Sequence, residues 1–179
     1  MNTPRDMPSM LAALLAALVP LAACTVDVRN EESGRRAEVD IRTPVGDLSV
    51  RTDVDPRDTG LRVYPGARAA RDDDPDSARV SIGSSWFGLD VVAANFQSTD
   101  APERVADFYR NEMKTHGDVI VCRGDVDFAK GRVICREDAS SRHVQLAVGT
   151  EARHRIVDVK PSGSGSEFAL VYIRTQGER

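Results

Sequence analysis

The sequence predicts an α+β fold, in which a mostly antiparallel sheet carries one amphipathic helix, at about residues 101–116, packed on one face. Three observations predict this class. Residues 24–179 contain 20 Val and 6 Ile but only 5 Leu and 1 Met, and β-branched side chains suit the pleated surface of a strand. Short runs in which apolar and polar residues alternate recur along this part of the chain. A single segment, which ends at Gly117, combines helix-start residues with apolar residues at helical spacing.

The front of the chain, residues 24–52, is predicted to form a small β-meander with one apolar face. Val26 and Val28 alternate with charged or hydroxyl residues, and the next two apolar segments follow the same period of two. Three short strands are marginally stable alone, so we expect the meander to dock on the main body or on a partner. The polar residues 53–60 then form a joint that leads into an α+β domain of residues 61–179.

The helix of this domain has a clear start and a clear end. Asp100 stands three residues before Glu103, as in a capping box, and Pro102 occupies the first turn, where its missing N–H is harmless. Gly117 is a natural stop. The apolar face of the helix consists of Val105, Phe108, Tyr109 and Met113. Strands are expected at 78–82 and 89–96 before the helix, and at 118–123, 132–136, 143–149, 154–160 and 167–174 after it.

The apolar run of residues 11–23 contains no charge and is shorter than the ~20 residues that a membrane-spanning helix needs. Its length fits the apolar region of an export signal, which is removed after transport. The run ends in Leu21-Ala22-Ala23-Cys24, which resembles the lipobox of bacterial lipoprotein precursors at all four positions. The resemblance implies that residues 1–23 are a signal peptide and that Cys24 becomes the acylated first residue of the mature chain.

The same resemblance implies a location. Two or more acyl chains on Cys24 anchor a protein stably to a membrane. Position 25 is Thr rather than Asp, which by analogy with lipoprotein sorting in enteric bacteria implies the outer membrane, with the domain facing the periplasm. The alternative is an ordinary secretory signal or an uncleaved anchor, in which Cys24 has no special role.

The other two cysteines form a natural pair. If Cys24 carries lipid, Cys122 and Cys135 remain, and the periplasm is an oxidising compartment. They lie in two β-rich runs separated by a polar stretch with two glycines, a pattern typical of a hairpin. We therefore predict a structural disulfide. A redox couple, or zinc ligation with His143 as the nearest further ligand, are the alternatives.

Three segments carry a second resemblance. The order Val63-Tyr64-Pro65-Gly66-Ala67, then Asp100-Ala101-Pro102-Glu103-Arg104-Val105, then Phe108-Tyr109-Arg110 resembles a group of uncharacterised lipoproteins from Gram-negative bacteria. In that group a YPGA turn precedes a strand, and D-x-P-E-x-V opens a helix that carries FYR. The likeness spans most of residues 37–175. It implies the fold and the envelope location, and it implies no activity.

The sequence offers few candidates for chemistry. Asp72-Asp73-Asp74 with Asp76 lacks the spacing of a calcium loop, which predicts a solvated loop and no metal site. His143 and His154 are interpreted as surface histidines. No nucleophile elbow, P-loop or dinucleotide-binding motif is present, so no catalytic residue and no cofactor are predicted. The net charge of −4 argues against nucleic acid as a partner.

The predicted function is that of a non-enzymatic outer-membrane lipoprotein whose periplasmic domain binds another envelope component, expected to be a protein. Trp86 and Phe87 either hold a loop over the core or form an exposed contact for that partner. The alternatives are a binder of small ligands or lipids and, third, an envelope hydrolase. A flat apolar patch near Trp86 or the meander favours the first function, a deep apolar pocket the second, and a cleft with a strongly perturbed His, Asp or Cys the third.

Overall fold

The computed structural model describes residues 24–30, 36–70, 76–129 and 132–177. The predicted signal peptide (1–23) and the acidic triplet (72–74) lie outside the described residues. The described chain contains, in order, β1 (Thr25–Asn30), β2 (Ala37–Thr43), β3 (Gly46–Thr52), a 3-10 helix (Pro56–Thr59), β4 (Arg68–Ala69), β5 (Ser77–Gly83), β6 (Phe87–Ser98), α1 (Pro102–Met113), a second 3-10 helix (Lys114–His116), β7 (Ile120–Ala129), β8 (Arg132–Glu137), β9 (Val144–Thr150), β10 (Arg153–Ser162) and β11 (Gly165–Gly177).

The strands form one continuous antiparallel arrangement in the order β1-β2-β3-β5-β6-β11-β10-β9-β7-β8, with the short β4 paired to β6. The front meander β1–β3 joins this sheet directly, because β3 pairs with β5 from Asp47 opposite Gly83 to Thr52 opposite Ala78. β11 comes last in the described sequence but lies in the middle of the sheet, between β6 and β10.

The predicted α+β class is wrong. Strand accounts for 61% of the structure, in eleven strands with one short helix, which makes the fold β-sandwich- or barrel-like. The helix predicted over 101–116 is an α-helix of 12 residues followed by a 3-10 turn. An α-helix of that length measures about 18 Å, which is too short to form a layer against a sheet of this size. The helical signals were local, and they carried no information about how many strands share the sheet.

The main core lies between α1 and the central strands. Tyr109 and Met113 of the helix are fully buried, and they belong to one cluster with Phe168 and Leu170 of β11. The Tyr109 hydroxyl accepts a hydrogen bond from the backbone N–H of Tyr64 at 3.0 Å. The other buried members of the cluster are Leu61, Ala94, Phe96, Val105, Ala106, Leu146, Val148, Val157 and Val159. This cluster occupies one side of β6, β9, β10 and β11.

Asp100 does not cap the helix as predicted. The N-cap residue is Ala101, which makes no side-chain capping bond, and Pro102 follows at the first helical position. The Asp100 carboxylate instead accepts hydrogen bonds from the Tyr64 hydroxyl at 2.6 Å and from Arg104 at 3.1 Å. Asp100 therefore ties the segment before β4 to the start of the helix, which is a tertiary role that the local pattern does not indicate.

Strand β7 changes partner at Gly124. Residues 120–123 pair with β9, and residues 124–129 pair with β8. A Cβ atom at position 124 would lie 2.3 Å from the carbonyl oxygen of Arg136, so the close approach of β8 requires glycine there. The Phe128 ring stacks on His154 with the centroids 3.7 Å apart. Because His154 lies on the side of β10 opposite the buried Val157, the β7–β8 hairpin covers part of the sheet face that the helix leaves free.

A disulfide bond joins Cys122 to Cys135, with their Cα atoms 5.4 Å apart, and confirms the predicted pair. Cys122 is fully buried and lies two residues before the change of partner at Gly124. Cys135 lies in β8, opposite Val126 of β7. The bond thus connects the half of β7 that belongs to the sheet with the strand that folds over it.

Candidate functional site

The sheet carries an apolar surface on the side opposite the helix. One cross-strand row, set by the pairing register of six adjacent strands, contains Val28, Val39, Val50, Val80, Val91 and Ile173. The next apolar row contains Val26, Ile41, Leu48, Ile82 and Leu89. We call these eleven residues the apolar face. Because side chains alternate along a strand, all of them project to one side of the sheet.

The apolar face is partly accessible to solvent. On the edge strand β1, Val26 is 63% exposed and Val28 57%, and Ile82 is 40% exposed. The other eight residues of the face are half-buried. Within the described chain, this is an apolar surface that no helix covers. Contiguous exposed apolar patches of this kind mark interaction sites on soluble domains.

The opposite side of the same strands is charged. Arg51 of β3 forms an ion pair with Glu38 of β2 at 2.7 Å, and Arg174 of β11 lies 3.6 Å from Asp90 of β6. The Ser81 hydroxyl donates to Asp90 at 2.9 Å. The Arg174 Nε atom is buried and makes no hydrogen bond within the described residues, so this network is only partly satisfied. Strands β1, β2, β3 and β5 therefore have a polar side and an apolar side, and the apolar side requires a partner to become buried. On β6 the polar side continues into the main core, where Ala94 and Phe96 are buried.

Cys24 lies at one end of this surface. It is an exposed free cysteine directly before β1. Thr25 begins a register row that marks the end of six adjacent strands: Thr25, Arg42, Asp47, Gly83, Gly88 and Gln176. The β2–β3 and β5–β6 turns lie at that same end of the sheet. We call this region, with Cys24 and the two turns, the Cys24 end.

Both turns at the Cys24 end present exposed apolar side chains. Val45 in the first turn is 71% exposed, and in the second turn Trp86 is 60% exposed and Phe87 42%. The interpretation in which Trp86 and Phe87 hold a loop over the core is therefore wrong. Both side chains are accessible to a partner, whereas the partner itself stays a prediction.

Hydroxyl side chains hold the two turns in shape. The Thr43 hydroxyl accepts the N–H groups of Val45 at 3.3 Å and Gly46 at 3.1 Å. In the second turn the Ser84 hydroxyl accepts the N–H groups of Trp86 at 3.4 Å and Phe87 at 3.1 Å. Such side-chain bonds replace missing backbone partners in tight turns. The apolar side chains of both turns therefore point outward, and the backbone N–H groups at these positions are all hydrogen-bonded.

A cleft of about 590 Å³ lies between α1 and the strands β7–β9. Its volume would suit a small ligand, but ligand pockets are mostly lined by apolar and aromatic side chains. Half of its twelve lining residues are charged: Glu103, Asp107, Arg110, Arg123, Glu137 and Arg142. Charged side chains on every wall of the cleft distinguish it from the predominantly apolar pockets that favour the small-ligand alternative.

Two titratable groups, the buried His154 and the half-buried Asp158, lie on the side of the sheet that faces the β7–β8 hairpin. Burial lowers the pKa of His154, and the carbonyl of Thr150, 3.1 Å from Nδ1, opposes this effect. Burial raises the pKa of Asp158, while the nearby His143 acts in the opposite direction. His154 is 6% exposed beneath Phe128, so its interpretation as a surface histidine is wrong. Its ring has no access to a substrate in this arrangement.

His143 is half-buried and lies 3.4 Å from the carboxylate of Asp125. Among residues 24–30, 36–70, 76–129 and 132–177, no group of three or more His, Cys, Asp or Glu side chains is placed to hold a metal ion. The zinc alternative for Cys122 and Cys135 is excluded by their bond to each other.

No protein-family model, no curated protein and no solved structure matches this chain. Within the described part of the chain, no helix is long and apolar enough to cross a membrane. The sequence predicted the apolar side of the meander and singled out Trp86 and Phe87, but it did not predict that this apolar side continues across β5, β6 and β11. Five of the six strands carry two apolar residues two positions apart, but only the pairing register shows that these residues align into rows.

Proposed function

We propose that this protein is an outer-membrane lipoprotein, anchored through acyl chains on Cys24, whose β domain is a non-enzymatic binding module in the periplasm. The observation that carries the binding role is the apolar face, which is continuous over six strands and opposite a charged side. The lipobox resemblance and the exposed position of Cys24 before β1 support the anchoring role.

The shape of the apolar face favours a protein partner. Six adjacent strands span about 24 Å between the outer two, since neighbouring strands lie ~4.8 Å apart. A surface of that width suits a macromolecule, because small ligands bind in concave pockets that enclose most of their area. The charged lining of the cleft beside α1 does not favour the small-ligand alternative.

Acylation is tested at Cys24. We expect intact-mass measurement of the membrane-extracted protein to show a chain that begins at Cys24 with acyl groups attached. The Cys24→Ser variant should be unmodified and should leave the membrane fraction, because the anchor is the acyl chains themselves. Equal membrane retention of the wild-type and variant chains, or an unmodified Cys24 in the wild type, would contradict the proposal.

The binding role is tested by a photo-crosslinking amino acid placed at one of two adjacent positions in intact envelopes. Val39 lies on the apolar face and Asp40 on the charged side of the same strand. We expect a discrete protein adduct from position 39, since that side chain faces the proposed partner, and none from position 40. Identical adducts from both positions, or no protein adduct from position 39, would count against a partner on the apolar face.

A further inference from the structure

The most exposed apolar side chains of the described residues are concentrated near Cys24. Nine large hydrophobic residues are strongly exposed, and six of them lie at or near the Cys24 end. These six are Val26, Val28, Val45, Ile82, Trp86 and Phe87. Random scatter of exposed apolar residues is normal on a domain surface, whereas clustering at one end indicates a contact surface.

The backbone places this cluster close to the proposed anchor. No residue separates Cys24 from β1, because Thr25 already pairs with Arg42. One residue of extended chain spans at most ~3.6 Å. An acyl anchor on Cys24 would therefore hold Thr25 close to the lipid surface. The two turns that carry Val45 and Trp86 lie at the same end of the sheet, so strands that rise from the membrane would place both turns at the surface.

The chemistry of the Cys24 end suits a lipid interface. Tryptophan and other amphipathic aromatic side chains prefer the level of the lipid headgroups, where an apolar ring and a polar edge are both accommodated. The terminal row carries one positive residue, Arg42, directly opposite one negative residue, Asp47. This balance leaves no excess negative charge in the row to repel anionic headgroups.

We propose that the Cys24 end is a membrane-contact surface, in which Val45, Trp86 and Phe87 enter the headgroup region of the bilayer that holds the acyl chains. The inference rests on the proposed lipidation of Cys24 and adds an orientation to it. The strands then rise from the membrane, and the apolar face stands upright with its far rows accessible to a partner.

The single tryptophan of the chain makes this contact measurable. The full chain is produced in a Gram-negative host, extracted from membranes and reconstituted in phosphatidylethanolamine–phosphatidylglycerol vesicles, with or without brominated acyl chains. We expect Trp86 emission to shift to shorter wavelength on reconstitution. Brominated lipid should quench the emission about twofold or more, since an interfacial ring lies within reach of the acyl chains.

A matched control moves the fluorophore to the other end of the sheet. Arg142 is exposed and directly precedes β9, at the end of the sheet where Phe96 pairs with Phe168. Those two residues lie eight positions along their strands from the row of Gly88, a distance of about 27 Å. The double variant Trp86→Phe with Arg142→Trp should bind the same vesicles with unshifted emission and little quenching.

The outcomes separate the two proposals. Acylated, vesicle-bound protein with unshifted and unquenched Trp86 overturns the membrane contact and leaves the lipoprotein proposal intact. If Trp86 emission shifts in native envelope membranes but not in the lipid vesicles, the Cys24 end contacts a protein, and the membrane-contact proposal is overturned. If intact mass shows an unmodified Cys24, the lipoprotein proposal fails. The free thiol of that chain is then coupled to maleimide-bearing lipid in the same vesicles, and quenching of Trp86 decides the membrane contact independently.

Discussion

Replacing Phe168 with alanine is expected to lower the free energy of unfolding by about 3–5 kcal/mol. Phe168 is 2% exposed and lies at the centre of the aromatic part of the core. Its ring centroid is 5.4 Å from that of Phe96, 5.6 Å from that of Tyr109 and 6.3 Å from that of Tyr64. Truncation removes these contacts and leaves a cavity between the helix and the sheet. Urea denaturation followed by circular dichroism measures the loss.

Phe108 supplies the matched control. It precedes Tyr109 on the same helix but is only half-buried, with its ring edge-on to Tyr64 at 5.2 Å. Phe108→Ala should therefore cost clearly less than Phe168→Ala, because part of its surface is already hydrated. If the two variants lose the same stability, or if Phe168→Ala is nearly neutral, the core is not organised around β11 as described.

Removal of the disulfide is expected to have the second largest effect. The double variant Cys122→Ala with Cys135→Ala should lose about 3 kcal/mol of unfolding free energy by the chain-entropy model. The separation of 13 residues sets this magnitude, and the loss adds to that of packing at the buried Cys122. The shift in the urea midpoint at constant slope measures the stability change.

Limited proteolysis locates that effect. Without the bond, the β7–β8 hairpin loses its covalent tie to the edge of the sheet, so cleavage should become faster in this hairpin before the rest of the domain is cut. Cys24→Ala, which leaves the bonded pair intact, is the control for loss of a cysteine. An unchanged urea midpoint in the double variant would show that the bond contributes nothing to the native fold.

The strand positions were predictable because alternation is a local property. Residues 78–82 were predicted as a strand, and β5 extends from Ser77 to Gly83. The class was not predictable in the same way, since it depends on how many strands join one sheet. The start and stop signals of a helix are strong even when the helix is short, so they do not indicate how much of the fold it forms. Twelve helical residues beside a sheet of this size do not define the architecture.

Strand β6 explains why the extension of the apolar face beyond the meander was not predicted. Its apolar run from Leu89 to Phe96 is nearly continuous, so the run alone does not distinguish the two sides of the strand. Val92, Ala94 and Phe96 are buried in the main core, whereas Leu89 and Val91 belong to the half-exposed apolar face. Local sequence cannot show which set is buried, because burial depends on the elements that pack on each side of the strand. The helix packs on one side, and no described helix packs on the other.

The candidate sites follow the same division. The Cys122–Cys135 pair was predictable, because two β-rich runs joined by a polar stretch with two glycines indicate a hairpin that brings the cysteines together. The role of Cys24 stays a prediction from the lipobox resemblance. The exposure of Trp86 depends on the tight turn between β5 and β6, which the Ser84 hydroxyl closes by accepting two N–H groups. A segment of Gly, Ser and aromatic residues does not by itself predict this turn geometry. His154 was misinterpreted because Phe128, which covers it, lies in another strand 26 positions away.

The central position of β11 has a consequence for the order in which the molecule is assembled. Strands β1–β6 and β7–β10 are sequence-contiguous halves, and the strand that bridges them is the last described strand to be synthesised. Pairing of β6 with β11 joins residues 87–98 to residues 166–177, so its loop-closure cost is among the largest in the fold. The sheet cannot close until this segment has been synthesised. Closure of the sheet after synthesis of both halves, rather than during it, is therefore a consequence of the strand order.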